Sequence, residues 1–217
     1  MLKVLDRENS ILNRYVSELR DVNIQQDKVR FRTNLERIGR IMAYEISKTM
    51  KYSPVTIGTP LGQTNIMLPE DSVVLATILR SGLPFHAGFL EMFDQAESSF
   101  ISAYRKYHKD GSYSIEMDYI SSCSLEGKTL IIIDPLLATG ASSVNAFNAL
   151  TQEAGSPREV HFASVVATQT GVEHIVKHLA ARKVTIWTAS LDQELTARSY
   201  IVPGIGDVGD LSFGKKI

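Results

Sequence analysis

The sequence predicts an α/β fold in which a largely parallel sheet is flanked by helices. Short apolar runs rich in β-branched residues recur at 72–79, 129–133, 160–167 and 183–188. The first two read as buried strands and the others as further strands of the same sheet. Helical periodicities stand between them, and alternation of strand with helix builds parallel connections. The 217 residues, 44% of them hydrophobic, suit one domain with its own core.

The first fifty residues read as helical. Ser10 is placed as an N-cap, with Ile11, Tyr15 and Leu19 on one face behind it. A second helix starts near Asp27, where Phe31, Leu35, Ile38, Met42 and Ile46 recur at helical spacing. Arg30, Arg37 and Arg40 fall mostly off that stripe and read as a solvated face. Residues 58–62 form a turn-rich break. The strand at 72–79 ends in Arg80-Ser81-Gly82, and a helix follows through Phe93. A second short strand, 100–104, ends at Arg105.

A different texture follows. Tyr113, Ile115, Met117 and Tyr119 alternate with Ser114, Glu116 and Asp118, the period of a strand with one exposed face. Asp110-Gly111 supplies a turn beside it. Residues 106–128 are therefore expected to form a protruding β arm. Beyond the strand at 129–133, a helix after Gly140 turns Val144, Phe147 and Leu150 inward, with Gly155 past its end. Another helix carries Val172, Ile175, Val176 and Leu179. The glycine-rich stretch 200–214 reads as an ordered loop, and residues 191–217 as a C-terminal hood.

Composition narrows the function. The formal net charge of −1 gives no overall attraction to nucleic acid or an anionic membrane, so an anionic substrate needs a local positive site. Cys123 is the single cysteine, which excludes an intrachain disulfide and fits a reducing compartment. No signal core opens the chain and no run is long enough to cross a bilayer, so a cytoplasmic protein is expected. His174 and His178 have metal-ligand spacing, but the HExxH pattern is missing, and they read as solvent-facing. Trp187 is expected in the core.

The strongest chemical signal runs from Leu130 to Ser143. A buried strand leads to Asp134, then to a small-residue loop through Thr139 and Gly140, then to a helix start. Ligands of open parallel sheets bind beyond the carboxyl ends of the strands. A loop there aims N–H groups and hydroxyls at a phosphate, and the helix N-terminus adds partial positive charge. Asp134 can accept from ribose hydroxyls, directly or through a metal. The Gly-Lys-Ser/Thr ending of a Walker loop is absent.

This segment resembles the motif that binds phosphoribosyl pyrophosphate (PRPP) in the phosphoribosyltransferases, specifically the uracil branch, where the acid is followed by proline. The run from Tyr200 to Asp210 resembles that family's uracil-binding loop. Ile78-Leu79-Arg80-Ser81-Gly82-Leu83 and Ala103-Tyr104-Arg105 resemble its two further PRPP contacts, and Thr59-Pro60-Leu61-Gly62 an upstream segment. The resemblance implies the phosphoribosyltransferase fold over residues 1–217 and transfer of the phosphoribosyl group of PRPP to uracil, giving UMP and pyrophosphate. It implies PRPP contacts at Arg80, Arg105, Asp134, Pro135, Leu136, Leu137, Ala138, Thr139, Gly140, Ala141, Ser142 and Asp207. Uracil contacts fall on Tyr200, Ile201, Gly206, Asp207 and Val208, and the catalytic residues on Asp134, Asp207 and Arg105. A magnesium ion carried by PRPP, a homodimer or homotetramer, and GTP as a candidate effector belong to the same implication.

Two departures stand out. Ala141 occupies a position where the family usually has glycine, which is harmless if its φ is negative. Leu211 and Ser212 stand where the family often has a basic residue. Two rival functions are weighed. A phosphoribosyltransferase for another base is disfavoured by Asp134-Pro135 and by Ile205-Gly206-Asp207. A nucleotide-sensing regulator without turnover, acting on RNA or transcription, is disfavoured by the near-neutral charge and the scatter of Lys and Arg.

Overall fold

The computed structural model describes the backbone of residues 1–107 and 113–216, and the side chains of these outside residues 104–117. In chain order come β1 (Leu2–Val4), α1 (Ile11–Arg20), α2 (Lys28–Ser47), β2 (Tyr52–Thr59), β3 (Gly62–Pro69), β4 (Val73–Leu79), α3 (Leu83–Met92), β5 (Glu97–Tyr107) and β6 (Tyr113–Ser121). Then follow β7 (Thr129–Ile133), β8 (Leu136–Leu137), α4 (Ala141–Ala154), β9 (Glu159–Thr168), α5 (Gln169–His178), β10 (Val184–Asp192), β11 (Glu194–Leu195), β12 (Ile201–Val202) and α6 (Val208–Phe213).

The main sheet runs β1-β10-β9-β7-β4-β5-β6, with β8 also beside β9. Its pairings are parallel except for β5 with β6. Alternation along the strands divides the core in two. Leu75, Ile131 and Ile133 meet α1, α2 and α3 on one face. Val74, Ala76, Leu130 and Ile132 meet α4 and α5 on the other. Two covered faces explain why β4 and β7 are apolar but for Thr77 and Thr129, both buried.

The helices follow the sequence with one change of face. The Ser10 hydroxyl accepts from the Leu12 N–H, and the Asp27 carboxylate from the Val29 and Arg30 N–H groups, so both predicted caps form. The inward stripe of α1 is Leu12, Val16 and Leu19, whereas Ile11 is 56% exposed and Tyr15 half-buried. Leu12 and Val16 share a face with Leu19 at spacings of four and three, and Ile11 lies a hundred degrees off it. Phe31, Leu35, Ile38, Met42 and Ile46 are all buried. The arginines beside them are partnered rather than simply solvated: Arg30 donates to Glu18, Arg40 to Glu91, and Arg37 to Asn34 while lying over the Tyr15 ring. Helices α2 and α3 touch backbone to backbone. A Cβ on Gly88 would stand 2.0 Å from the Glu36 carbonyl oxygen, and one on Gly39 2.5 Å from that of Phe85.

Four further expectations change. The break at 58–62 is the turn of a hairpin, β2–β3, with partners from Tyr52 opposite Pro69 to Thr59 opposite Gly62. Strand β5 does not stop at Arg105. It continues to Tyr107, and Arg105 pairs with Ile115 on β6. The expected arm at 106–128 thus begins as an edge of the main sheet, with its tip, residues 108–112, outside the described residues. Val176 on α5 is 49% exposed. The C-terminal stretch contains the short helix α6 as well as loop. Trp187 is buried, and its Nε1–H donates to Nδ1 of buried His161 at 3.1 Å.

Candidate active site

The carboxyl ends of β4, β7 and β8 open into a cavity of about 790 Å³. Its floor is the predicted loop. Asp134 leaves β7 with its N–H donating to the Ala163 carbonyl, and one carboxylate oxygen accepts from the Leu136 N–H. The Pro135 carbonyl accepts from the N–H groups of Val165 and Val166, which holds the loop to β9. The next turn is seated on α5. The Thr168 hydroxyl donates to the Ala138 carbonyl at 2.6 Å and accepts from the Gly171 N–H at 3.0 Å. A Cβ on Gly140 would lie 2.6 Å from the Gly171 oxygen, and one on Gly171 2.5 Å from the Ala138 oxygen.

Gly140 takes φ of 77°, which only glycine adopts readily, and it serves as the N-cap of α4 without a side chain to satisfy that helix's first amides. Thr139, Gly140, Ser142 and Ser143 all line the cavity, so this helix start faces it. Ala141 is the first residue of α4, and among the described residues the non-glycine φ in the positive region is that of Ser199, at 60°. Alanine therefore fits where the family has glycine.

The opposite wall is the hood. Asp207 caps α6 by accepting from the Asp210 N–H at 2.9 Å, and its other oxygen lies 3.5 Å from the Lys216 ammonium. Gly204 and Gly206 have φ of 60° and 79°. The Arg20 guanidinium, at the end of α1, forks onto Asp192 at 2.7 and 2.9 Å and also donates to the Gly204 carbonyl. Arg80, just beyond β4, donates across the cavity mouth to Asp210 and to the Gly214 carbonyl, both at 3.3 Å.

Of the residues singled out in the sequence, Arg80, Asp134, Leu136, Leu137, Ala138, Thr139, Gly140, Ser142, Tyr200, Ile201, Gly206, Asp207 and Val208 share this one cavity. Pro135 and Ala141 do not line it. Pro135 spends its carbonyl on β9, and Ala141 starts the helix. The side chain of Arg105 lies outside the described residues. Ile201 and Val208 line it although both are buried. Ser199 and Lys216 also line it and carried no signal in the sequence. The lining carries three carboxylates, Asp134, Asp207 and Asp210, and two cations, Arg80 and Lys216. Among the described residues no three His, Cys, Asp or Glu side chains gather closely enough to hold a metal by themselves. The half-exposed stack of His174 on His178 belongs to no such group.

A strand–acid–loop–helix floor at the carboxyl edge of a parallel sheet, under a glycine-rich hood, defines an α/β protein built to hold a phosphorylated ligand. The family model for uracil phosphoribosyltransferase matches residues 7–215. A uracil phosphoribosyltransferase of Porphyromonas gingivalis is 50% identical over 213 residues, covering 98% of each chain. One of Methanothermobacter thermautotrophicus is 35% identical over 217 residues, covering 99% of this chain and 96% of its own. The solved structure of the AQ2163 protein of Aquifex aeolicus superposes with a TM-score of 0.87 at 26% identity, over 99% of this chain and 98% of that one. The chain belongs to the uracil phosphoribosyltransferase family. No helix among the described residues is long and apolar enough to cross a membrane.

Proposed function

We propose that the protein transfers the phosphoribosyl group of PRPP to uracil, giving UMP and pyrophosphate. The observation that carries this, beside family membership, is the single cavity shared by the Asp134–Ser142 floor and the Tyr200–Asp210 hood. The floor suits a sugar phosphate and the hood suits a flat base, so the two reactants meet between them.

The 5′-phosphate belongs on the amides and hydroxyls of residues 138–142 at the start of α4. Departure of pyrophosphate builds positive charge on the ribose ring, as in other glycosyl transfers. Asp134, with Asp207 across the cavity, supplies carboxylate to that charge and to the ribose hydroxyls. Arg80 takes pyrophosphate oxygens in this reading, on release of the Asp210 carboxylate to which it donates. Arg105 joins it on the strength of the resemblance. Uracil offers two carbonyls and ring N–H groups, and the hood meets such an edge with backbone from Ile201 and Gly206 to Val208. Backbone readout of that kind rejects cytosine, whose amino group replaces a carbonyl.

Magnesium fits this lining. It favours one or two carboxylates plus substrate phosphates over a protein-only cage, and the cavity offers Asp134 and Asp207 without a preformed cluster. Asp134 and Asp207 would hold the ion together with the phosphates of PRPP, and it would supply charge neutralisation to the pyrophosphate. A homo-oligomer belongs to the proposal because the β2–β3 hairpin exposes Val55, Leu61, Ile66, Met67 and Leu68, more apolar surface than a free arm needs. GTP as effector rests on the resemblance, and a cytoplasmic location on the reading of the sequence, where the single cysteine fits a reducing compartment. Pyrophosphate release over a panel of bases, with and without GTP and with RNA binding measured in parallel, tests the whole. Turnover with uracil alone is expected. Turnover with another base, or RNA binding without turnover, would overturn it.

A further inference from the structure

Beneath the hood lies a buried charge pair that does not line the cavity. Asp192, at the end of β10, is 6% exposed, and the Arg20 side chain 23%. The Arg20 guanidinium donates to both Asp192 oxygens, to the Ser190 hydroxyl at 2.9 Å and to the Gly204 carbonyl at 3.0 Å. The Asp192 carboxylate in turn accepts from the Gly204 N–H at 2.8 Å. One residue of the hood is therefore gripped at both its N–H and its C=O by the two halves of a single ion pair. Gly204 itself has no room for a side chain, since a Cβ would lie 2.3 Å from the Ile201 oxygen. The end of α1 that carries Arg20 is fixed as well: the Gln25 side-chain amide donates to the Leu19 and Arg20 carbonyls.

We infer that Arg20 and Asp192 are positioning residues for the base, acting through the backbone of Gly204 to set Ile205 and Gly206 against the cavity. The inference rests on the proposed uracil chemistry for its substrate and on the hydrogen bonds alone for its geometry. The grip touches the hood and leaves the phosphate floor alone, so its loss should separate the two substrates. Arginine is required because its planar fork serves three groups, Asp192, Ser190 and Gly204, at once, which an ammonium on a flexible stem does not reproduce.

The test is steady-state kinetics of Asp192→Asn and Arg20→Lys, with hydrogen exchange followed over residues 201–206. Asp192→Asn is expected to raise KM for uracil about tenfold or more while KM for PRPP stays within about twofold. Arg20→Lys should shift it in the same direction by less, and exchange in the hood should quicken in both. An unchanged uracil KM, or equal rises for both substrates with a general loss of melting temperature, overturns the inference. If Asp192→Asn does not fold, Arg20→Lys decides alone. A wild-type protein that never turns over uracil sinks the substrate assignment but not the exchange measurement, in which equal hood protection in variant and wild type would refute the grip.

Discussion

Asp134 is the residue whose charge the proposed chemistry needs most. Its main-chain N–H already serves β9, so replacing the carboxylate by an amide leaves the loop's backbone anchors in place. Asp134→Asn is expected to lower kcat about a hundredfold or more with melting temperature nearly unchanged. Near-wild-type turnover in the purified variant would remove the role. At Gly206 a Cβ would point at Leu211 Cδ1, 3.2 Å away, and at the Gln25 side-chain oxygen, on a φ of 79°. Gly206→Val should therefore distort the hood itself, lowering the melting temperature in the absence of any ligand as well as abolishing the uracil response. A variant that melts like wild type and loses only uracil binding would show instead that the side chain fills space the base needs. The floor was legible in the sequence because loop, acid and helix start are consecutive residues. Ser199 and Lys216 were not, since they flank the recognised loop without belonging to its motif, and the Arg20–Asp192 pair was not, since its members stand 172 residues apart in the chain.

At the scale of elements, the sequence showed what is buried better than what is exposed. Strands β4 and β7 announced themselves because two covered faces leave room for little but apolar residues, and β9 and β10 keep apolar runs although they bury His161, Ser164, Thr185 and Thr188 among them. The hairpin β2–β3 did not, because neither of its faces packs on the core and nothing forces an alternating pattern. Strand β1 is three residues long, too short for any period. Close approach of helices is likewise invisible in a hydrophobic stripe. Gly39 and Gly88 let α2 and α3 meet at their backbones, and the clash of a methyl group at Gly88 falls on a carbonyl that cannot move without its helix. Gly88→Ala is expected to cost about 3 kcal/mol, or about 6–12 °C of melting temperature in a domain of this size. A melt within a degree or two of wild type would show that the helices separate more easily than this packing implies.

For the molecule as a whole, acid is the informative stress. Burial brings the His161 imidazole down to about 4, with Lys183 adding to the effect and Glu159 and Asp71 opposing it. The neutral ring accepts the Trp187 N–H, an acceptor that protonation removes. The folded state thus binds this proton less readily than the unfolded chain. Stability from this group is present above about 6.5, the ordinary histidine value, and is lost as pH falls toward 4. Glu18, held near 2 first by the Asn34 amide and then by Arg30, adds a second loss between 4.5 and 2. Melting temperature should fall across the upper window, and His161→Gln, which keeps an acceptor but cannot titrate there, should flatten that part of the curve. An equal slope in the variant would place the acid sensitivity elsewhere. Assembly is tested on the same preparation. Ile66→Lys and Leu68→Lys are expected to reduce the mass seen by light scattering if the hairpin joins copies of the chain, and an unchanged mass would move the interface off it.

The grip on Gly204 also has a consequence for the order in which the protein is made. A ribosome emits Arg20 early and Asp192 and Gly204 near the end of the chain. The edge strand β1, likewise, waits for β10, since Leu2 pairs with Ile186. The floor from Asp134 to Ser142 needs only β9 and the start of α5, so it can assemble while the last forty residues are still unmade. Nascent chains should then acquire a phosphate-binding floor before they acquire any means of recognising a base. Synthesis ends by joining the first helix to the final loop, and selectivity is the last property the growing polypeptide gains.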